Sequence, residues 1–253
     1  FSAEDVAITA KAFATLEVRA EALFRAFSLR VRREIQSFGA EYLAITARSF
    51  AQLEIRDVEL FKVLAREAKQ KIESFSAESL AMTAFAFGSA SIQNWDLFDA
   101  LSREAMKKIK SFDAEDIAYI AVGFASLSTK DEELFKVLAR EAMQKIERFF
   151  SWSIAQTAWA YGKLGIKDKD LFDALSKEAM KKIERFSAQD ISHIVLGFAR
   201  LGIRDQGLFA LLSSQTKKVI QVEDVDQVIN DMGSVSDITG ETENSSDPEP
   251  QKV

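Results

Sequence analysis

Apolar and polar positions along this chain restart on one pattern every 37 residues. A phenylalanine comes first, then a polar opening, an apolar run at helical spacing, a polar turn and a second helical run. Phe1, Phe38, Phe75, Phe112, Phe149 and Phe186 mark the restarts, with no insertion or deletion between them. The neighbouring words recur too: FSAEDVAITAKAFATL from residue 1, FGAEYLAITARSFAQL from 38, FSAESLAMTAFAFGSA from 75. Self-similarity at this period means one supersecondary unit per copy, none of which buries its apolar face alone, so neighbours must stack. The pattern predicts an all-α fold, a right-handed α-solenoid of six tandem 37-residue helix-turn-helix repeats over residues 1–222. Such an array works through a long surface and not through one enclosed pocket.

Each repeat reads as two helices. Ser2, Ser76, Asp113 and Ser187 are good N-caps for the first, and Gly39 is an acceptable one. Glu4, Glu41, Glu78 and Glu115 follow in the first turn, where the helix dipole favours an acid. A G-I-K/R-D turn, seen at Gly165–Asp168 and Gly202–Asp205, ends the first helix, with glycine suited to the left-handed position. Asp57, Asp131, Asp168 or Asp205 then caps the second helix, which the pattern carries for about 16 residues.

Counting from each phenylalanine, positions 6, 7, 10, 13 and 14 of the first helix are nearly fixed. Alanine dominates position 7, and Phe13, Phe50, Phe87, Phe124, Tyr161 and Phe198 hold position 13. Small residues set against large aromatics let helices approach, so this face is core. The paired Leu and Phe that recur at 60/61, 97/98, 134/135 and 171/172 supply the second helix's share. Positions 4, 8, 11 and 15 lie on another face of the first helix, and there the copies diverge. Down the array the sets read Glu4/Ile8/Lys11/Thr15, Glu41/Ile45/Arg48/Gln52, Glu78/Met82/Phe85/Ser89, Glu115/Tyr119/Val122/Ser126, Trp152/Gln156/Trp159/Lys163 and Gln189/His193/Leu196/Arg200. A stripe that varies while the packing face stays constant is where recognition is sought. Its apolar members, Ile8, Ile45, Met82, Phe85 and Val122, fit equally well as packing against the next repeat or as an exposed patch for a protein partner.

Both prolines, Pro248 and Pro250, lie at the far end, so the repeats contain no helix breaker. Cysteine is absent, which removes disulfides, thiolate nucleophiles and zinc ribbons together. The net charge of −6 misleads as a single number: nine of the 39 acids, against one of the 33 bases, stand after residue 222. The repeats are left nearly neutral, at +2. That balance permits nucleic acid without demanding it. Residues 223–232 read as a short capping helix on the apolar spacing of Val222, Val225, Ile229 and Met232, and residues 233–253 as a disordered acidic tail. No apolar run approaches the ~20 residues of a membrane span, so no membrane insertion is expected. The chain starts at Phe1, in register with the repeat and without Met, and is expected to be a piece of a longer protein.

The phrase Thr157-Ala158-Trp159-Ala160-Tyr161-Gly162-Lys163-Leu164-Gly165, with the F-S-A-E-D/S opening and the L-F-D-A-L second helix, resembles the octotricopeptide repeats. By its 37-residue length it resembles their heptatricopeptide relatives more closely. That resemblance implies a helical-hairpin solenoid binding single-stranded RNA in a mitochondrion or chloroplast, with about one nucleotide per repeat. It implies service in RNA stability, processing or translation. The pattern departs at the reading positions. Family copies favour Asn at position 8 and Trp at position 11, whereas here Trp159 alone supplies the tryptophan, and the first three repeats carry Ile8, Ile45 and Met82.

The RNA-binding candidates are therefore Trp152, Gln156, Trp159, Lys163, Gln189, His193 and Arg200 in the last two repeats, with Tyr119, Lys11 and Arg48 further up the stripe. Trp152 and Trp159, two turns apart on one helix, either stack unpaired bases or wedge between repeats. Lys163 and Arg200 hold equivalent positions in adjacent repeats, suited to successive phosphates or to ordinary surface. His193 is the single histidine, so no multi-histidine metal site exists. The i,i+4 pairs Glu67–Lys71, Glu104–Lys108, Glu141–Lys145 and Glu178–Lys182 read as solvated pairs that stabilise the second helix, with a phosphate-tracking stripe through Arg66, Arg103, Arg140 and Lys177 as the lesser alternative. There is no phosphate loop, nucleophile elbow or metal-ligand cluster, so no enzyme, no cofactor and no small-molecule substrate is expected. The competing class is a protein–protein scaffold, or an accessory subunit of a large organellar assembly such as a ribosome, with protein partners along the apolar stripe of repeats one to four.

Overall fold

In the computed structural model residues 1–219 are described. They form twelve α-helices in six hairpins, the all-α helical-repeat solenoid that the pattern predicts. The first helices are α1 (Ala3–Thr15), α3 (Ala40–Gln52), α5 (Ala77–Ser89), α7 (Ala114–Ser126), α9 (Ser151–Leu164) and α11 (Ala188–Arg200). The second are α2 (Glu21–Glu34), α4 (Val58–Gln70), α6 (Trp95–Lys108), α8 (Glu132–Lys145), α10 (Lys169–Lys181) and α12 (Gln206–Val219). The second helices are shorter than the sequence pattern suggests. The first five each close in a three-residue 3-10 turn, such as Ile72–Ser74, that delivers the next repeat's phenylalanine in an extended conformation. The expected capping helix at 223–232 and the tail at 233–253 lie outside the described residues.

Successive first helices lie against one another along their length, and the second helices form the other layer. Between the layers the aromatics interlock. The position-24 phenylalanine of one repeat meets the position-13 aromatic of the next, edge to face, in Phe24–Phe50, Phe61–Phe87, Phe98–Phe124, Phe135–Tyr161 and Phe172–Phe198, with centroids 4.8–5.0 Å apart. Such pairs contribute about 0.5–1.5 kcal/mol each beyond their buried area. Phe38, Phe75, Phe112, Phe149 and Phe186 are all buried, whereas Phe1, which meets Phe27 on one side and no preceding repeat among the described residues, is 74% exposed.

The closest helix contacts occur where glycine stands on both sides. Gly88 faces Gly123 between α5 and α7, and Gly162 faces Gly197 between α9 and α11. At the other interfaces alanine or serine holds the same two positions, as in Ala125 and Ala160. This alternation is one sign of a longer period. LFKVLAREA recurs at 60 and 134, LFDALS at 97 and 171. The serine of every odd repeat, Ser28, Ser102 and Ser176, donates to the aspartate that caps the next repeat's second helix, Asp57, Asp131 and Asp205.

The turn between paired helices needs one left-handed residue in every copy. Gly165 and Gly202 supply it in repeats five and six, at φ 67° and 66°. Repeats one to four place Glu17, Glu54, Ser91 and Ser128 there, at φ 54–56°. A non-glycine residue pays about 1–2 kcal/mol for that conformation. Glycine at Glu54, Ser91 or Ser128 is therefore expected to raise stability by about 1 kcal/mol each, the larger chain entropy of glycine taking back the rest. A urea midpoint that falls with each glycine would contradict this.

The four Glu–Lys pairs of the second helices are not solvated, which corrects the reading of their spacing. The side chains of Glu67, Glu104, Glu141 and Glu178 are only 4–6% exposed. The lysine at the end of each pair reaches back across the repeat junction. Lys71 Nζ lies 2.8 Å from Glu67 and donates to the carbonyls of Gln36 and Phe38 at 2.8 and 2.9 Å. Lys108, Lys145 and Lys182 repeat the bond pattern, each on two carbonyls of the preceding junction. The i,i+4 spacing brings the charges together, but the stacking of repeats is what closes over them.

Candidate nucleic-acid interface

The variable stripe separates into two clusters. The first runs through repeats two to five. The Arg48 guanidinium lies 5.5 Å from the Phe85 ring centroid and 4.5 Å from that of Tyr119, and its Nη2 donates to the Tyr119 hydroxyl at 2.9 Å. Phe85 meets Tyr119 edge to face at 4.8 Å, and Tyr119 meets Trp152 at 4.8 Å. The arginine thus crosses a whole repeat to bond the next. Of the apolar stripe residues, Ile45 and Val122 are buried, Met82 and Phe85 half-buried, and Ile8 alone is exposed. Ile45 and Val122, with Met82 and Phe85 in part, are therefore packing within the array, which leaves Ile8 as the exposed member of that set.

The second cluster joins repeats five and six. Gln156 is buried, and its amide nitrogen donates to His193 Nδ1 at 3.0 Å. An accepting Nδ1 leaves the ring proton on Nε2. Burial lowers the His193 pKa and the Asp190 carboxylate opposes that only in part, so the ring is neutral near pH 7. The half-buried Trp159 lies against it with centroids 5.7 Å apart. Lys163 Nζ sits 4.9 Å from the Trp159 ring centroid and donates to the Ser126 carbonyl at 3.2 Å. Its pKa is lowered, first by burial and then by the nearby Arg200. Arg200 and Gln189 are exposed, and Arg200 makes no ion pair among the described residues.

Charge divides the stripe after repeat four. Glu4, Glu41, Glu78 and Glu115 are exposed at the starts of α1, α3, α5 and α7, and none forms an ion pair among the described residues. Beside them a depression of about 430 Å³ is lined by Lys11, Ile45, Arg48, Met82, Asp116 and Tyr119, among others. The Asp116 carboxyl is pushed up to about 6 by burial, with Asp113, Glu78 and Glu115 adding repulsion; the hydrogen bond from the Asp113 N–H opposes the rise. In repeats five and six Trp152 and Gln189 take the place of the row's acid. A phosphate chain meets a row of exposed carboxylates on repeats one to four, whereas Asp190, the first-turn acid of α11, is buried and bonded to Ser187.

Lys11 lies on the rim of the depression, and Arg48 is committed to Tyr119, which in turn lies against Trp152. Gln156, Trp159, Lys163 and His193 lie together in the second cluster, whereas Trp152 lies against Tyr119 in the first, and Gln189 and Arg200 are exposed. One residue at this site escaped the sequence reading. Phe150 occupies the N-cap position of α9, makes no cap bond and is 61% exposed. Its signal was the lone break in the Ser/Gly/Asp series at the second position of each repeat. Among the described residues no group of three or more His, Asp or Glu stands close enough to hold a metal ion, and no helix is long and apolar enough to cross a membrane.

A stack of helical hairpins with one variable, partly aromatic stripe defines a helical-repeat protein. Residues 1–72, 59–165 and 145–243 match the model of the family described as RNA-editing substrate-binding complex 6 protein (RESC6), and the chain belongs to that family. No curated protein matches it. The resemblance to the organellar repeat families holds at this coarser level, a helical-repeat family tied to RNA. The octotricopeptide or heptatricopeptide placement itself is not the one matched.

Proposed function

We propose that this chain is a non-catalytic RNA-binding solenoid that holds single-stranded RNA across repeats five and six, as part of an RNA-editing substrate-binding assembly in a mitochondrion. The carrying observation is the change of the stripe after repeat four. The carboxylate row stops, and Trp152, Trp159, His193, Lys163 and Arg200 stand beyond it. The half-buried Trp159 indole suits stacking by an unpaired base, and the neutral His193 offers Nε2–H as a donor to a base edge. Arg200, with Lys163 behind it, supplies phosphate contacts. The family name supports the editing assembly, and the likeness of the repeats to organellar families supports the compartment.

Fluorescence anisotropy with a labelled unpaired RNA at low and physiological salt tests the reading. Trp159→Ala is expected to lose about 1–3 kcal/mol of binding, the usual worth of one base stack. Binding by the unaltered chain should weaken as salt rises, since phosphate contacts release counterions. Equal affinity of the two proteins would overturn the assignment. A second reading belongs to repeats one to four, where the unpaired Glu4, Glu41, Glu78 and Glu115 row suits a protein neighbour within the assembly better than RNA. A map of RNA crosslinks along the chain separates the two surfaces.

A further inference from the structure

Resting on the reading of repeats five and six as the RNA face, we propose that Phe150 is an outer stacking platform for an unpaired RNA base at the end of the stripe beyond the glutamate row. Position 2 of the repeat is Ser2, Gly39, Ser76, Asp113 and Ser187 elsewhere, and the serines and aspartate accept from the backbone of the first turn. Phe150 cannot accept, and α9 begins without a side-chain cap or an acid in its first turn. The residue thus forgoes a stabilising bond, and at 61% exposure it gains little burial in return. A position that breaks a local rule at a cost to the fold is expected to serve something outside the fold.

The surroundings of Phe150 select what that is. Trp152, two residues on, stands where repeats one to four carry the exposed glutamates, so the N-terminal end of α9 combines two aromatics with no carboxylate of that row. Trp152 already lies against Tyr119, at 4.8 Å between centroids, which occupies it with a protein neighbour. Phe150 has no aromatic partner among the described residues. The cationic members of the stripe, Lys163 and Arg200, lie toward the other end of the same helices. An unpaired strand that starts from a base on Phe150 and runs several nucleotides along α9 toward that end fits this arrangement of rings and charges. A basic peptide would find no carboxylate row here and fits it worse.

Two substitutions in the full chain test the proposal, read by thermal melting and by anisotropy with a fluorescein-labelled, mixed-sequence single-stranded RNA 12-mer. Phe150→Ser restores the missing cap, and is expected to raise the melting temperature by roughly 2–4 °C. The same substitution should weaken RNA binding roughly five- to a hundredfold, the loss of one base stack. Phe150→Trp keeps a larger ring and should bind at least as tightly as the unaltered chain. A serine variant that binds as well as the unaltered chain overturns the proposal and leaves Phe150 as a missing cap. A serine variant that melts lower and binds less makes Phe150 a packing residue, which also overturns it. No binding by the unaltered chain sinks the RNA reading beneath it, a separate and recognisable failure.

Discussion

Replacing Gly123 with valine is expected to break the array between its third and fourth repeats. A Cβ built at Gly123 would sit 2.4 Å from both the carbonyl carbon and the oxygen of Ala84, and one at Gly88 would sit 2.8 Å from Gly123 Cα. The atoms in the way are backbone, which cannot rotate aside as a side chain does. Helix α7 must therefore slide off α5 and take the Phe98–Phe124 contact with it. Overpacking a core costs about 1–3 kcal/mol even where side chains can adjust, so valine here should cost about 3 kcal/mol or more. A solenoid is coupled by nearest-neighbour interfaces, so the damage should appear as a loss of cooperativity, with repeats one to three and four to six unfolding separately. Urea unfolding followed by circular dichroism reads this directly. A single transition at the unaltered midpoint would mean that the helices do not approach as closely as described.

Replacing Lys71 with methionine is the second large effect. Methionine retains most of the stem but leaves the Glu67 carboxylate, 6% exposed, without its counter-ion and the Gln36 and Phe38 carbonyls without their donor. Breaking one side of a buried pair costs about 3–5 kcal/mol, and the partial exposure of Lys71 places this case near 3. Repeat six shows the neutral alternative, with Gln215 standing where Glu67 does and its amide reaching the Glu184 carbonyl at 3.4 Å. Accordingly Glu67→Gln together with Lys71→Met should be less damaging than Lys71→Met alone, a coupling that a double-mutant cycle measures. Equal destabilisation by the single and double variants would dismiss a buried charge as the cause. Acid should release the same latches elsewhere. At Glu141 burial works to raise the pKa, but the hydrogen bonds from Lys110 and Lys145 outweigh it and hold it below the ordinary glutamate value; Glu178, with Lys182 and Lys181, behaves alike. A folded-state pKa below the unfolded one gives stability that is present above pH 4.5 and is lost as the pH falls through the lower, folded value.

These effects also mark where the sequence stops being readable. Phe38, Phe75 and their successors announce each repeat, and Asp57 or Ser187 its helix starts, because capping and period are local properties that spacing records. The left-handed turn residue was visible only through Gly165 and Gly202; Glu54 and Ser91 hide the same backbone behind an ordinary side chain. Glu67 and Lys71 looked solvated because a helical wheel gives direction but not depth, and depth here comes from the neighbouring repeat. Gly88 and Gly123 gave no warning of their contact, since nothing local distinguishes a close-approach glycine from a tolerated one. In the stripe, Ile45 and Val122 share a face with Arg48 and Tyr119, yet the next first helix covers the former pair, and Arg48 reaches 71 residues along the chain to Tyr119. The pairing of Trp159 with His193 was more accessible, both being stripe residues of adjacent copies.

Photo-crosslinking of the full chain to a 4-thiouridine single-stranded RNA, with the linked peptides sequenced, tests the central claim most directly. Crosslinks are expected within residues 149–200, centred on Phe150, Trp152, Trp159 and His193, and none along the glutamate row of repeats one to four. Crosslinks confined to residues 1–126 would contradict it, placing the RNA on the very surface that the carboxylates of Glu41, Glu78 and Glu115 should close to phosphate.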